Sequence, residues 1–307
     1  MDETVAIDYV TLDVFTDRAF GGNPLAVVLD ARPLTGDEMQ AIAAEFNYSE
    51  TTFLLPPRDA RATARVRIFT PARELPFAGH PNVGTAFVVA GRGEIFGRPA
   101  GDVLFFEETA GLVPLAIIKE NGVIAGALLT APQPLSVGPP VAPAIVAECV
   151  GLAPEAIATE GGAPVVASVG LPFLFAALKG RESLARCRVD AASCARHLPG
   201  LGTDAIHLSV REGRGVAARV FAYQGRIFED AATGSANLAL AALAAERMAE
   251  RDAELALEIT QGVEMGRPSK LSARAIKRGG KVQRAEIAGS CVEIMRGGLT
   301  FTRRPGA

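Results

Sequence analysis

The run Phe228-Glu229-Asp230-Ala231-Ala232-Thr233-Gly234-Ser235-Ala236-Asn237 continues into Leu238-Ala239-Leu240-Ala241-Ala242-Leu243-Ala244-Ala245 and limits what this chain can fold into more than any other stretch. Two carboxylates lead into a turn of small residues, and the turn opens an Ala/Leu helix with no polar face. A helix apolar all round has to be covered on every side. Its first turn still presents backbone N–H groups without intrahelical partners, at the positive end of the helix dipole. Thr233 or Ser235 can cap that end. Thr233, Gly234, Ser235 and Ala236 leave room for a ligand to reach the backbone, and such an end suits a carboxylate or a phosphate. An ordinary capped core helix would carry the same pattern.

The pattern occurs twice. Phe77-Ala78-Gly79-His80-Pro81-Asn82-Val83-Gly84-Thr85-Ala86-Phe87-Val88-Val89-Ala90 is again a glycine turn that opens an apolar helix. Pro81 sits near the first helical position, where its missing N–H costs nothing. Aligning Gly79 with Gly234 sets Asn82 on Asn237 and Ala86 on Ala241. We therefore expect two related halves whose helix starts face one another and hold a small anionic molecule.

At 307 residues, 49% of them hydrophobic, the chain has ample material for two cores. The net charge is −3, with no basic stripe, so nucleic acid is not an expected partner. The start Met1-Asp2-Glu3-Thr4 lacks the basic region of a signal peptide, and the apolar runs are broken well short of a membrane span. Cys149, Cys187, Cys194 and Cys291 form no CxxC pair and read as free buried thiols in a reducing cytoplasm. Three histidines and no clustered ligands suggest no metal. Gly21-Gly22 and Gly79 to Gly84 lack the strand–GxGxxG–helix layout of a dinucleotide site, so no cofactor is expected.

Along the chain, 6–14 and 25–29 read as strands joined by the turn Phe20-Gly21-Gly22-Asn23-Pro24, where Asn23 is either a turn former or a ligand contact. Thr35-Gly36-Asp37-Glu38 has the spacing of a capping box, and its helix runs to about Phe46 with Met39, Ile42 and Phe46 inward. Glu45 lies at the border of that face. Being next to the strand entry Asn47-Tyr48-Ser49-Glu50, it is placed to project into a cleft. There the helix C-terminus and partial burial would raise its pKa and suit it to proton transfer. Strands are expected at 51–55, 64–69, 103–107, 113–119 and 122–129 around the first apolar helix. The proline-rich segment from Thr130 to Pro143 suits neither helix nor ladder and reads as a linker. Beyond it we expect helices near 143–150, 154–159 and 191–197. Strands are expected at 165–169, 173–178, 205–210, 217–223, 255–260, 281–287 and 298–302. His197 and His207 read as structural.

Five segments in chain order carry a resemblance. Asp13-Val14-Phe15-Thr16 with Phe20-Gly21-Gly22-Asn23-Pro24 resembles the opening of the phenazine-biosynthesis isomerase (PhzF-like) family. Ala44-Glu45-Phe46-Asn47-Tyr48-Ser49-Glu50-Thr51 is similar to the family's helix with the acid/base glutamate. Phe69-Thr70-Pro71 with Glu74 through Pro81, and Glu229-Asp230 with Thr233 through Ala236, resemble its two domain signatures. Gln261-Gly262 with Met265-Gly266-Arg267-Pro268-Ser269 resembles its C-terminal motif.

The resemblance implies an α+β, diaminopimelate epimerase-like fold: two pseudo-symmetric halves, each a bent sheet or open barrel around a central buried helix. We expect the first half over 1–130, rejoined in one version by the last strand at about 290–307, and the second over 131–289. The resemblance also implies a homodimer and an active site between the halves. In that site Glu45 is the general acid/base, His80 and Asp230 act with it, and Asn23, Ser49, Gly79, Gly234, Ser235 and Ala236 bind substrate. Epimerase and racemase relatives place a cysteine at each glycine turn. This chain has Gly79-His80 and Ala232-Thr233 there, which favours a single-carboxylate proton shift on a small carboxylate-bearing substrate. A binding protein without turnover, and a racemase or dehydratase with Asp230 as second base, are the alternatives.

Overall fold

The structure is a computed structural model that describes residues 3–213, 215–223 and 227–303. It contains two compact units. The first runs to Leu129 and resumes at Gly289; the second is Thr130–Ala288.

The first unit contains β1 (Glu3–Val14), β2 (Asn23–Val28), α1 (Gly36–Phe46), β3 (Glu50–Leu55), β4 (Ala64–Phe69), α2 (Gly79–Arg92), β5 (Val103–Glu108), β6 (Gly111–Glu120) and β7 (Val123–Thr130). The capping box forms as expected. The Thr35 hydroxyl takes the Glu38 N–H at 3.2 Å, and Glu38 takes the Thr35 N–H at 2.8 Å. Met39 and Ile42 pack with Val5, Ile7 and Phe53, while Asn47 ends α1 in the left-handed region at φ 52°. α2 is buried from Gly79 to Ala86 and again at Val88 and Val89, covered by β1, β2, β3 and β6.

The second unit contains β8 (Ser136–Pro140), α3 (Pro143–Val150), β9 (Val165–Ser168), β10 (Pro172–Leu178), α4 (Arg181–Arg186), α5 (Ala191–His197), β11 (Ala205–Glu212), β12 (Gly215–Tyr223), β13 (Ile227–Asp230), α6 (Gly234–Glu246), β14 (Ala253–Gln261) and β15 (Ser269–Arg278). β16 (Lys281–Arg303) begins here against β15, and from Cys291 onward it pairs with β1 in the first unit. α6 is buried on all sides against β9, β10, β14 and β15.

The strand ladders repeat. β1–β2 and β9–β10 are antiparallel; β2–β3 and β10–β11 are parallel. β3–β4 and β11–β12 are antiparallel, and a short strand then returns on the second member, Glu74–Leu75 on β4 and β13 on β12. The central helix follows. The next strand pairs parallel, β5 with β4 and β14 with β12, and an antiparallel partner completes the series, β6 on β5 and β15 on β14. Each unit is thus an α+β layer wrapped round one apolar helix, the architecture expected from the two glycine turns.

Three expectations are corrected. The helix expected near 154–159 is a single 3-10 turn, Pro154–Ala156, followed by the short strand Ile157–Ala158 on β10. The proline-rich segment is not a bare linker, because Ser136–Pro140 pairs with β9. All five residues are exposed, and the ladder shifts register between Val137 and Pro140. An edge strand tolerates proline because one row of its backbone groups needs no partner. The two closing strands are one strand of 23 residues. Gly297 does not break it, since its missing side chain makes room for Tyr9, whose hydroxyl would lie 2.7 Å from a Cβ there. The hexapeptide α4 and the residues that lengthen β16 carried no periodic signal.

Close packing in the first unit gives a stability test. A Cβ on Gly126 would meet the Gly289 carbonyl oxygen at 2.0 Å, whereas a Cβ on Gly91, in the exposed last turn of α2, meets nothing within 4 Å. Gly126→Ala is expected to destabilise by about 1–3 kcal/mol through overpacking. Gly91→Ala is expected to stabilise by about 0.5–1 kcal/mol through lower unfolded-chain entropy. Urea unfolding of the two variants beside wild type checks both signs.

Candidate active site

In the first unit the start of α2 lies beside the ends of β2 and β3. Ser49, at the entry to β3, donates its hydroxyl to Asn23 Oδ1 at 2.7 Å, which fixes the Asn23 amide. Asn23 Nδ2 then faces His80 Nδ1 at 3.3 Å as donor. His80 Nε2 lies 3.5 Å from Glu50 Oε2. His80 is 3% exposed, and burial lowers its pKa to about 3, with only a hydrogen bond to the Pro24 backbone acting the other way. The nearby Glu50 carboxylate does not offset that burial, so the ring is neutral at ordinary pH.

The N-terminus of α2 has no side-chain cap, since Ala78 precedes it, and Pro81 contributes no N–H. Asn82, fully buried, turns its Nδ2 back to the Ala78 carbonyl at 2.8 Å.

Glu45 stands on the last turn of α1. The partial burial expected for it is not found, and it is exposed, as are Ala41 and Ala44 beside it. The buried stripe of α1 is Met39, Ile42 and Ala43, and Glu45 falls off that stripe. Among the described residues no hydrogen bond or ion pair holds its carboxylate. The structure therefore joins Ser49, Asn23 and His80 in one hydrogen-bonded chain, extends it toward Glu50, and leaves Glu45 outside it.

In the second unit the carboxylates Glu229 and Asp230 part, as successive residues on a strand must. Glu229 is taken by Arg219 on β12, with contacts of 2.7 and 2.9 Å, and this pair is structural. Asp230 accepts the Thr233 hydroxyl at 2.6 Å. The capping role expected for Thr233 or Ser235 is absent: α6 starts at Gly234 without a side-chain cap, and the Thr233 hydroxyl donates to Asp230 and accepts from Gln261 Nε2. The turn is held instead by Gln261 at the end of β14. Its Oε1 accepts the Thr233 N–H at 3.1 Å and Asn237 Nδ2 at 2.8 Å. Its Nε2 donates to the Asp230 carbonyl at 2.8 Å and reaches Thr233 Oγ1 at 3.0 Å. Asn237 also donates to the Thr233 carbonyl at 3.1 Å, and its Oδ1 lies 2.9 Å from Nε2 of buried His207. Burial lowers the His207 pKa to about 4. Gly234, Ser235 and Ala236, all buried, form the uncapped first turn.

Glu50 and Gln261 stand beside these residues without having been expected there. Gln261 was in view within the motif Gln261-Gly262, but only the fold supplies its partners. The four cysteines are free and buried, and none lies at either turn. Among the described residues no three His, Cys, Asp or Glu side chains group to hold a metal. A cavity of about 530 Å³ beside β8 is lined by Val137, Pro140, Ile145 and Leu201 with no titratable side chain, and it includes none of the residues above.

The arrangement has counterparts. The family model for phenazine biosynthesis-like proteins matches residues 12–297. An uncharacterised isomerase of Mesorhizobium japonicum is 36% identical over 301 residues, 95% of this chain and 98% of that one. The trans-2,3-dihydro-3-hydroxyanthranilate isomerase of Pseudomonas aeruginosa is 35% identical over 292 residues, 94% of this chain and 98% of its own length. The crystal structure of a PhzF-family phenazine biosynthesis protein from Bacillus anthracis superposes with a TM-score of 0.82 at 26% identity, covering 96% and 99% of the two chains. A hydroxyproline epimerase from Agrobacterium vitis, 15% identical, shares the fold at a TM-score of 0.65 over 96% and 93%. With a family match over nearly its whole length and full-length isomerase relatives, this chain belongs to the phenazine biosynthesis-like (PhzC/PhzF) family of isomerases.

Proposed function

We propose that the protein is a cofactor-independent isomerase that moves a proton on a small carboxylate-bearing substrate, with Glu45 as general acid/base. The observation that carries this reading is the state of the Glu45 carboxylate. Two other acids of the first unit are spent on arginines: Arg303 holds Glu38 down to about 2, and Arg61 holds Asp59 down to about 2. A carboxylate so held is a poor base. Glu45 has no such partner and is open to a ligand.

In this reading Glu45 takes a proton from carbon next to an unsaturated system and returns it to another carbon of the same molecule. The N–H groups of Gly234, Ser235 and Ala236 receive the substrate carboxylate, with those of Gly79 and His80 as a further donor pair. Neutral His80, held by Asn23 with Ser49 behind it, offers a fixed ring with no charge to compete for the anion. Asp230 accepts a polar hydrogen of the substrate. The 35%-identical relative acts on trans-2,3-dihydro-3-hydroxyanthranilate, which makes that compound the natural first probe.

Glu45→Gln keeps the side-chain shape and removes the base. On trans-2,3-dihydro-3-hydroxyanthranilate or another accepted carboxylate, kcat should fall by about 10²–10⁴-fold, the usual contribution of general acid–base catalysis. Wild type in D₂O should place deuterium at the carbon that gains the proton. Turnover undiminished in the glutamine variant would remove Glu45 from the mechanism.

The protonation state of His80 makes a separate test. An ordinary histidine gains its charge as pH falls through about 6.5. The folded His80 does so only near 3. His80→Gln should therefore lower kcat/KM at every pH while leaving the shape of the pH–rate profile above pH 5 unchanged. Loss of a limb near pH 6.5 in the variant would show that His80 titrates during turnover.

A further inference from the structure

Glu108, the last residue of β5, is 9% exposed, and neither of its carboxyl oxygens has a hydrogen-bond partner. Its neighbour is the side chain of Asn82 in the first turn of α2. Asn82 Oδ1 is also buried without a partner, while its Nδ2 is committed to the Ala78 carbonyl. The Glu108 carboxyl thus faces the Asn82 amide in the core, and no charged side chain enters the balance that sets its protonation. Buried polar atoms without partners are costly, and one proton on Glu108 supplies a donor.

The second unit shows how the same position is filled elsewhere. β5 and β14 correspond in the repeat, and their last ladder pairs are Glu108 opposite Gly111 and Gln261 opposite Ser269. Asn82 and Asn237 correspond too, each donating Nδ2 to the carbonyl of the residue that precedes its helix. At the Glu108 position the second unit has Gln261, whose amide both accepts from Asn237 and donates to the turn before α6. A glutamine can accept and donate at any pH. A glutamate can do so only while it holds a proton.

We infer that Glu108 is a positioning residue, a protonated carboxylic acid that stands in for the Gln261 amide and pairs with the Asn82 side-chain amide, so holding the first turn of α2 with Gly79 and His80. Two observations agree with this. Burial pushes the Glu108 pKa well above the usual carboxyl range, with only Asn82 opposing it. The Ala110 N–H binds the Pro76 carbonyl at 3.0 Å, which keeps the turn after β5 against the residues that lead into α2. Titratable groups on the surrounding elements are accounted for otherwise. His80 on α2 is neutral, Glu107 accepts the Arg58 and Asp59 N–H groups, and Arg67 on β4 is paired with Glu74. Arg65 on β4 and Lys119 at the far end of β6 do not enter the Glu108 balance either.

The inference concerns the shape of a helix start that the proposed function uses, and it does not require Glu45 to be the base. Its test therefore avoids turnover. In protein with ¹³C-labelled glutamate carboxyls, the Glu108 signal is assigned by its absence from Glu108→Gln. It should have the shift of a neutral acid at pH 7, where ordinary glutamates, with pKa about 4.3, are ionised. An ionised Glu108 at pH 7 overturns the inference.

Positioning is read from hydrogen exchange of the Asn82 side-chain amide. Glu108→Gln should preserve its protection, and Glu108→Leu, similar in size but without a donor, should speed exchange by about tenfold, the loss of one hydrogen bond. Unchanged protection in the leucine variant would also overturn it. If that variant does not fold, urea unfolding of wild type against Glu108→Gln decides. A folded-state pKa raised above the unfolded one gives stability that is full below about pH 4.3 and lost as pH climbs toward the raised value. Wild type should thus weaken relative to the glutamine variant between pH 5 and 9, and a constant difference would overturn the assignment.

Discussion

The need to cover an apolar helix on every side governs both units. Ala239, Ala241, Ala242 and Ala245 of α6 are fully buried although they point in several directions, and Val83, Ala86 and Val89 of α2 likewise. No flat sheet can do this, so the strands bend round each helix. A helix enclosed along its length has only its ends left to meet a ligand. Neither start is capped by a side chain, which leaves the backbone N–H groups to whatever binds there. Packing and ligand binding are thus two results of the same composition.

Amides and neutral rings chiefly hold these helix starts, with the Asp230 carboxylate bonded to Thr233 before α6 as the exception. Asn82, Asn237 and Gln261 are amides, and burial keeps His80 and His207 neutral. An ion buried at the same place would carry a large desolvation cost and would compete with, or repel, an anionic ligand. Where the fold does bury charges near the second turn, it pairs them. Arg219 grips Glu229 with two hydrogen bonds and also donates to the Leu184 carbonyl. Asp230, the other carboxylate of the turn, accepts the Thr233 hydroxyl.

Features encoded within a few residues were legible in the sequence. The Thr35–Glu38 capping box, the limits of α1 and α5 and the two glycine turns depend on near neighbours, and all are found. Features that depend on distant partners were not. Ser136–Pro140 becomes a strand only because β9 offers an edge, and β16 runs through Gly297 and Gly298 because β1 lies opposite. The same division applies to the site. Asn23, Ser49, His80 and Asp230 were legible as motif residues, but the Ser49–Asn23–His80 chain spans three separate elements. Thr233 was expected to cap α6 because threonine usually does so. Its hydroxyl instead donates to Asp230 and accepts from the distant Gln261, a pairing that only the fold supplies.

The two units share a scaffold, yet their helix starts are not equivalent. In α6 the first three positions, Gly234, Ser235 and Ala236, all carry an N–H. In α2 the third is Pro81, so only Gly79 and His80 remain as donors. Ser235 adds a hydroxyl at the position where His80 has an imidazole. The start of α6 is therefore the stronger anion holder, and this is why the proposed function assigns the substrate carboxylate to it. The first unit has instead a rigid neutral ring and, on α1, an unpaired carboxylate. The two units thus repeat one helix-start geometry, and substitutions at matching positions make the two starts chemically different.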